Sequence, residues 1–316
     1  MKIRSINSFE KNKMMEVTSD PLNGLLFINK PKSLSSSDAL YPIKKLLRQI
    51  GQKKTKIGHF GTLDPFADGL LIIALGHCTR LADYVHEYCP KTYIAKGLFG
   101  TQTDTGDLTG QSYKECNLAD ISARSIVEKK YLGKYSQRPP FFSATKHQGK
   151  PLYEWAREGI EIVKDPVERM IYQFEINKLD ENEIIFSASV SSGTYIRVLM
   201  EDIAYDFKSC GHLVELTRTK IGNAEKDQAT ELALFKELQS YAELSQKLIE
   251  PEVVLPFLKV ELDSERECEA FRHGQTIETI FSCEQPVWVY HEGKRLGLAK
   301  IREGKLQVLI NMMAQL

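Results

Sequence analysis

The chain has 316 residues, 42% hydrophobic and 27% charged, with 42 Lys+Arg against 42 Asp+Glu for a formal net charge of zero. This balance excludes a disordered or fibrous chain and a globally basic nucleic-acid binder, and it leaves enough chain for a large domain with a small one. The longest apolar run, Leu70 to Leu75, is six residues, far short of the roughly 20 needed to cross a bilayer.

Residues 1–21 read as a polar lead-in with no apolar block, so no signal peptide is expected and a cytoplasmic location follows. From Gly24, LLFINKP is a buried-strand candidate broken at Lys30 and Pro31. In SLSSSDALYPIKKLLRQIG, Ser37 or Asp38 is placed to cap a helix with Leu40, Ile43, Leu47 and Ile50 on one stripe, stopping at Gly51. Lys44, Lys45 and Arg48 lie off that stripe. Between Lys30 and Phe60 eight basic residues stand against one acid, Asp38, so the neutral total hides a local net charge of +7. KTYIAKGLFG (91–100) and EIIFSASV (183–190) have strand composition. Ile121–Tyr131, the LYEWAREG run after Pro151, and the Leu199, Ile203, Phe207 series ending near Gly211 read as helices. Glu231–Glu250 reads as one polar helix carrying Leu232, Leu234, Leu238 and Leu244, closed by Pro251.

After Pro251 the texture changes to short strands with turns at Glu292-Gly293 and Glu303-Gly304. The fold class is α+β, a mixed, largely antiparallel central sheet with flanking helices, plus a small β-rich domain over 251–316, near the lower size limit for folding alone. The six cysteines, Cys78, Cys89, Cys116, Cys210, Cys268 and Cys283, contain no CxxC pair and no Cys/His cluster at zinc spacing. They read as reduced thiols, mostly buried, and no metal is expected.

The stretch GHFGTLDPFADGLLIIALG (58–76) is the most unusual. Gly58, Gly61, Gly69 and Pro65 mark an irregular loop anchored by the apolar run, a place where catalytic side chains are commonly set. Asp64 precedes Pro65 and is biased toward a turn. On residue type alone it is as good a turn former as a catalytic carboxylate, with His59 a supporting loop histidine. No GxxxxGK[ST] or GxGxxG is present, so no nucleotide cofactor is expected. Asp64 and Asp68 leave a carboxylate pair open.

GHFGTLDPFADGLL resembles the catalytic-aspartate motif of the TruB family, the bacterial tRNA pseudouridine-55 synthases. GLLFINKPKSLSSSDAL, KTYIAKGLFGTQTDTGD, RPPFFSATKHQGKPLYEWAREG, SSGTYIRVLMEDIA and HLVELTRTKIG resemble the family's other motifs, in the same order, over residues 24–222. Asn29, Phe60 and Thr145 depart from the residues usual there. The resemblance implies an isomerase that cuts uracil from C1′ of a T-loop uridine in tRNA, turns it and rejoins it through C5, with no cofactor and no metal. It implies a catalytic domain over 22–250, with an RNA-clamping insertion at about 124–158, and a PUA-like module over 251–316, acting as a monomer.

By that match Asp64 is the catalytic carboxylate, Arg197 its ion-pair partner, and Tyr93 the ring that stacks on the target base. Leu216 packs on the other side of the base and His59 fills the gap left by the extruded nucleotide. Gly61, Thr62, Lys30 and Lys146 are the remaining substrate-side candidates. A cation in the first turn of a helix opposes the helix dipole, which independently asks for an anion beside Arg197. Core packing remains the rival reading for Leu216, and a solvated surface for the lysines. Two rival functions stand beside the isomerase: an RNA-folding module, since base extrusion remodels the loop, and a carboxylate-dependent hydrolase.

Overall fold

The computed structural model describes residues 22–313; the expected lead-in over 1–21 lies outside the described residues. The chain runs β1 (Gly24–Lys30), α1 (Tyr41–Gln49), β2 (Ile57–His59), β3 (Asp68–Leu75), α2 (Ala82–Tyr88), β4 (Lys91–Phe99) and a short hairpin, β5 (Thr101–Thr103) with β6 (Ser112–Glu115). It continues through α3 (Arg124–Lys130), β7 (Gly133–Gln137), β8 (Lys146–His147), β9 (Lys150–Pro151), α4 (Leu152–Arg157), β10 (Val167–Leu179), β11 (Glu183–Val190), α5 (Ile196–Asp206) and β12 (Gly211–Ile221). β13 (Ala224–Glu225), β14 (Thr230–Glu231) and α6 (Tyr241–Ser245) lead to β15 (Lys259–Glu261), α7 (Glu265–Arg272), β16 (Ile277–Glu278), β17 (Cys283–His291), β18 (Lys294–Arg302) and β19 (Lys305–Asn311).

The main sheet follows the order β14-β1-β3-β12-β4-β11-β10-β7, with β2 and β13 added to β3 and β12. Only the β1–β14 and β3–β12 pairs are parallel, so the expected mixed, largely antiparallel sheet is present. β3 is buried from Gly69 to Leu75 because both faces are covered, which explains its unbroken apolar run. Leu71, Ile73 and Leu75 pack with Ile43, Leu46 and Leu47 of α1. Leu70, Ile72 and Ala74 point the other way, against Val254, Trp288, Leu298 and Ile310. The C-terminal sheet, β15-β17-β18-β19-β16, therefore shares a core with the main sheet. Trp288 is fully buried, with its indole N–H donating to the Leu255 carbonyl at 2.8 Å. The shared core offsets the small size of this domain.

Several local expectations change. Neither Ser37 nor Asp38 caps α1; the Asp38 carboxylate instead accepts from the backbone and hydroxyl of Ser35. Glu231–Glu250 is not one helix: a 3-10 turn at Leu232–Lys236 is separated from α6 by a capping box between Ser240 and Glu243, which starts a new helix there. A second capping box, Ser264 with Glu267, opens α7 inside the β-rich domain. The two turns are as expected, with positive φ at Glu292, Gly293, Glu303 and Gly304. The reading of six free thiols fails for two: Cys116 and Cys210 form a disulfide, Cα–Cα 5.8 Å. The β5–β6 hairpin returns the chain so that Gly100 bonds the backbone of both cysteines, a juxtaposition that 94 positions of separation conceal. No helix among the described residues is long and apolar enough to cross a membrane.

Candidate active site

A cleft of about 570 Å³ opens where the β2–β3 loop, β4, β12 and the start of α5 converge. The β2–β3 loop is irregular but firmly held. Ser36 Oγ accepts from Leu63 N at 2.8 Å and Ser33 N donates to Pro65 O at 2.7 Å. From below, the fully buried Arg218 of β12 donates to the carbonyls of Leu70 (2.8 Å), Gly61 (3.0 Å) and Thr62 (3.4 Å). Gly69, at φ +111°, lies so near the Arg218 backbone that a Cβ would fall 2.3 Å from its carbonyl oxygen. Only glycine permits that approach.

Asp64 both closes a turn and faces the cleft. Its carbonyl closes a turn to Ala67 N at 3.1 Å, while its carboxylate lies in the cleft wall and takes Arg197 as partner. Arg197 Nε donates to Asp64 Oδ2 at 2.8 Å, and the pair is unequally buried, 4% side-chain exposure for Arg197 against 35% for Asp64. The guanidinium also donates to the carbonyls of Thr105 (2.5 Å) and Phe142 (2.9 Å) and lies 3.8 Å from Asp107 Oδ2. Arg197 sits in the first turn of α5, where the dipole disfavours a cation, and the two carboxylates answer that cost. Asp68 does not pair with Asp64. It accepts from Thr217 Oγ1 at 2.6 Å and from Lys226 at 3.2 Å, tying β3 to β12 and the chain beyond it.

Tyr93 and Leu216 line the same cleft, from adjacent strands paired in antiparallel register. Gly61 and Thr62 form part of its rim. His59 does not line it; it precedes the loop on β2, its Nδ1 is buried without a protein partner, and burial, with the nearby Arg218 guanidinium, lowers its pKa. Phe60, the departure beside it, is 1% exposed in the core and presents no side chain to a ligand. Lys146 is exposed on the β8–β9 hairpin, outside the cleft lining.

Lys30 requires correction. It is 0% exposed, its ammonium donates to the carbonyls of Pro31 (2.9 Å) and Leu34 (2.8 Å), and burial lowers its pKa to about 8. It stitches the chain after β1 and is neither a phosphate contact nor a solvated lysine. The other seven basic residues of the +7 stretch, Lys32, Lys44, Lys45, Arg48, Lys53, Lys54 and Lys56, are exposed.

The cleft holds further groups to which no role was assigned. Lys91 is 4% exposed, burial lowers its pKa to about 8, and Nζ donates to Ser192 Oγ at 2.8 Å. His86 Nδ1 lies 2.6 Å from the same hydroxyl. Lys91 falls two residues before Tyr93, and the KTY string was the signal for it; Arg218 was marked only by its place in the HLVELTRTKIG motif. The cleft brings no three metal-ligating side chains together among the described residues; such a group occurs in the C-terminal domain.

The model of the TruB family pseudouridylate synthase N-terminal domain matches residues 45–196. The tRNA pseudouridine synthase B of Psychrobacter arcticus is 36% identical over 262 residues, covering 82% of this chain and 68% of that protein. That of Chromobacterium violaceum is 35% identical over 293 residues, 90% of this chain and 93% of the relative. Among solved structures, a chain of a Cbf5-Nop10-Gar1 complex superposes with a TM-score of 0.64 at 20% identity, covering 92% of this chain and 84% of its own. The expected α+β pseudouridine synthase fold with a small PUA-like domain is the fold observed. At these levels of identity and coverage, the chain belongs to the TruB family of pseudouridylate synthases.

Proposed function

We propose that the protein isomerises the T-loop uridine at position 55 of tRNA to pseudouridine, with Asp64 as the catalytic carboxylate and no cofactor. The observation that carries this reading is the 2.8 Å Asp64–Arg197 pair at the wall of a cleft large enough for one nucleotide. The buried guanidinium fixes the carboxylate in place at the cleft wall, where the reacting sugar would lie. The target base is inaccessible while stacked, so it is extruded into the cleft, where Tyr93 stacks on one face and Leu216 packs on the other.

The reaction is an internal exchange. The N1–C1′ bond breaks as the Asp64 carboxylate supports the developing positive charge at C1′, the uracil turns, and a C5–C1′ bond forms. The proton lost from C5 is balanced by the one gained at N1. Tyr93 and the Lys91–Ser192–His86 group are the cleft's resources for that transfer.

His59 occupies the gap left in the RNA loop. The hydroxyl of Ser143 on the cleft wall is a buried polar atom without a protein partner, beside the place the nucleotide would take. Gly61 and Thr62 give the nucleotide a backbone edge. Lys146 and the segment 138–158 close over the RNA; the earlier part of the expected insertion is bound into the main sheet through β7, paired with β10 over Val167–Ile171. Part of the exposed basic face from Lys32 to Lys56 contacts phosphates. The domains are 22–250 for catalysis and 251–316 as the PUA-like module, and the protein works as a monomer in the cytoplasm.

The test is incubation with unmodified tRNA followed by mapping of pseudouridine. Product at the T-loop uridine is expected; product at another position would overturn the assigned substrate site, and no product would favour a pure RNA-folding role.

A further inference from the structure

We propose that Glu265, Cys268 and His291 of the C-terminal domain bind one zinc ion, at a site separate from the cleft. The carboxylate oxygen, sulfur and imidazole nitrogen lie within 4.8 Å of one another. Glu265 and Cys268 share a face of α7, three positions apart, and His291 ends β17. His291 Nδ1 lies 2.9 Å from the Leu262 carbonyl oxygen, which fixes the ring with Nδ1 as donor. Nε2 then faces Glu265 Oε2 at 3.3 Å. An imidazole nitrogen and a carboxylate oxygen so placed can share either a proton or a metal ion, and the sulfur of Cys268 beside them supplies a third ligand atom for the metal.

A metal-binding imidazole characteristically donates its second N–H to a carbonyl, as here. Tetrahedral zinc with nitrogen and oxygen ligands at about 2.0–2.1 Å sets those atoms ~3.3 Å apart, the spacing already present. The neighbouring thiol favours a thiophilic metal over a hard one. Thiolate and carboxylate together neutralise a divalent ion, and the carboxylate of Glu292, next to His291, adds negative potential at both the thiol and the imidazole. The one cation acting on the thiol, Arg272, is engaged by Glu269 at 3.5 Å.

Cys268 is 4% exposed in the small core while Glu265 reaches solvent, so the ion would sit at the edge of the core with a coordination position open to water. It would tie the start of α7 to the end of β17, a staple of the kind that small domains use to supplement a limited core. Cys268 and His291 lie on different elements, far outside any zinc-finger spacing, which is why the sequence offers no sign of the site.

The full-length protein, stripped with chelator and dialysed against zinc, is expected to retain one equivalent and to melt at a higher temperature than the stripped form. With cobalt(II) it should show thiolate-to-metal charge-transfer absorption. Cys268→Ser should abolish that band and His291→Gln should weaken zinc binding at least ~10-fold, whereas Cys283→Ser should leave both unchanged. If Cys268→Ser fails to fold by circular dichroism, His291→Gln and Glu265→Gln decide. Failure to retain zinc at micromolar free metal, affinity unchanged in both of those variants, or a cobalt band that survives in folded Cys268→Ser overturns the proposal. In that case Glu265 and His291 are a protonated ion pair only.

Discussion

Arg218→Met removes the cation that holds the Asp64-bearing loop from below while keeping an unbranched stem of similar length. The guanidinium is fully buried and makes two good hydrogen bonds, to Leu70 O at 2.8 Å and Gly61 O at 3.0 Å, with a longer one to Thr62 O at 3.4 Å. Hydrogen bonds from a charged donor are each worth about 1.5–3 kcal/mol, so the gross loss is about 3–6 kcal/mol. Relief of the buried charge offsets part of this, leaving a net destabilisation of about 2–3 kcal/mol. For a chain of this size that lowers Tm by about 3–5 °C. The loop carbonyls released are those of Gly61 and Thr62, two and three residues before Asp64, and a displacement of about 1 Å at a catalytic group costs on the order of 100-fold in rate. Thermal melting and single-turnover tritium release from 5-tritiated uridine in tRNA read the two effects separately. A full rate in a destabilised variant would refute the claim that Arg218 positions Asp64; an unchanged Tm would refute the energetics assigned to its carbonyl contacts.

Arg197→Ala strips Asp64 of its partner and leaves the Thr105 and Phe142 carbonyls without their donor. Breaking a buried pair costs about 3–5 kcal/mol; since Asp64 keeps 35% exposure, the low end applies, and the rate should fall ~100-fold as the carboxylate loses the contact that orients it. An unaltered rate would remove the pairing from the mechanism. For Lys91, whose folded pKa is lowered to about 8, the native state releases its proton before the unfolded chain does. The parent therefore gains stability as pH rises from about 8 to 10.5, and Lys91→Met, lacking that slope, should be the more stable protein below pH 8 by about 2 kcal/mol, with the difference shrinking above it. A difference independent of pH in chemical denaturation would show that Lys91 is not a buried charge. Affinity for tRNA should fall steeply with salt, and charge-neutralising changes at exposed Lys44, Lys45 and Arg48 should flatten the slope by about one counterion each for those that contact phosphate; three unchanged slopes would place the RNA elsewhere.

Legibility in the sequence followed the range of the interactions. β1, β4 and β11 were readable because their burial patterns are local, and β11 begins and ends where its composition does. α5 was readable from Leu199, Ile203 and Phe207 because one face packs on the sheet. The Glu231–Glu250 leucines misled because Leu232 and Leu244 are buried in the same core from two separate short elements, a pattern that mimics one amphipathic helix. At the site, Asp64 and Arg197 were paired through resemblance and through the dipole argument, and they are in contact. Lys30 gives no local sign of burial as a lysine in a basic stretch; the carbonyls of Pro31 and Leu34 folding back onto it, with the nearby carboxylates of Asp68 and Asp64, make that burial tolerable. Cys116 with Cys210, and Cys268 with His291, are juxtapositions made by the sheets, and no spacing rule registers them.

The most direct test of the account is single-turnover modification of unmodified tRNA by Asp64→Asn, with binding measured on the same preparation. The substitution preserves shape and removes the charge opposite Arg197. The account predicts no detectable pseudouridine at the T-loop position, with tRNA affinity within about threefold of the parent, since phosphate contacts and shape dominate binding. Pseudouridine formed by the asparagine variant at a rate approaching the parent's would contradict it, for the carboxylate would then have no part in breaking the N1–C1′ bond.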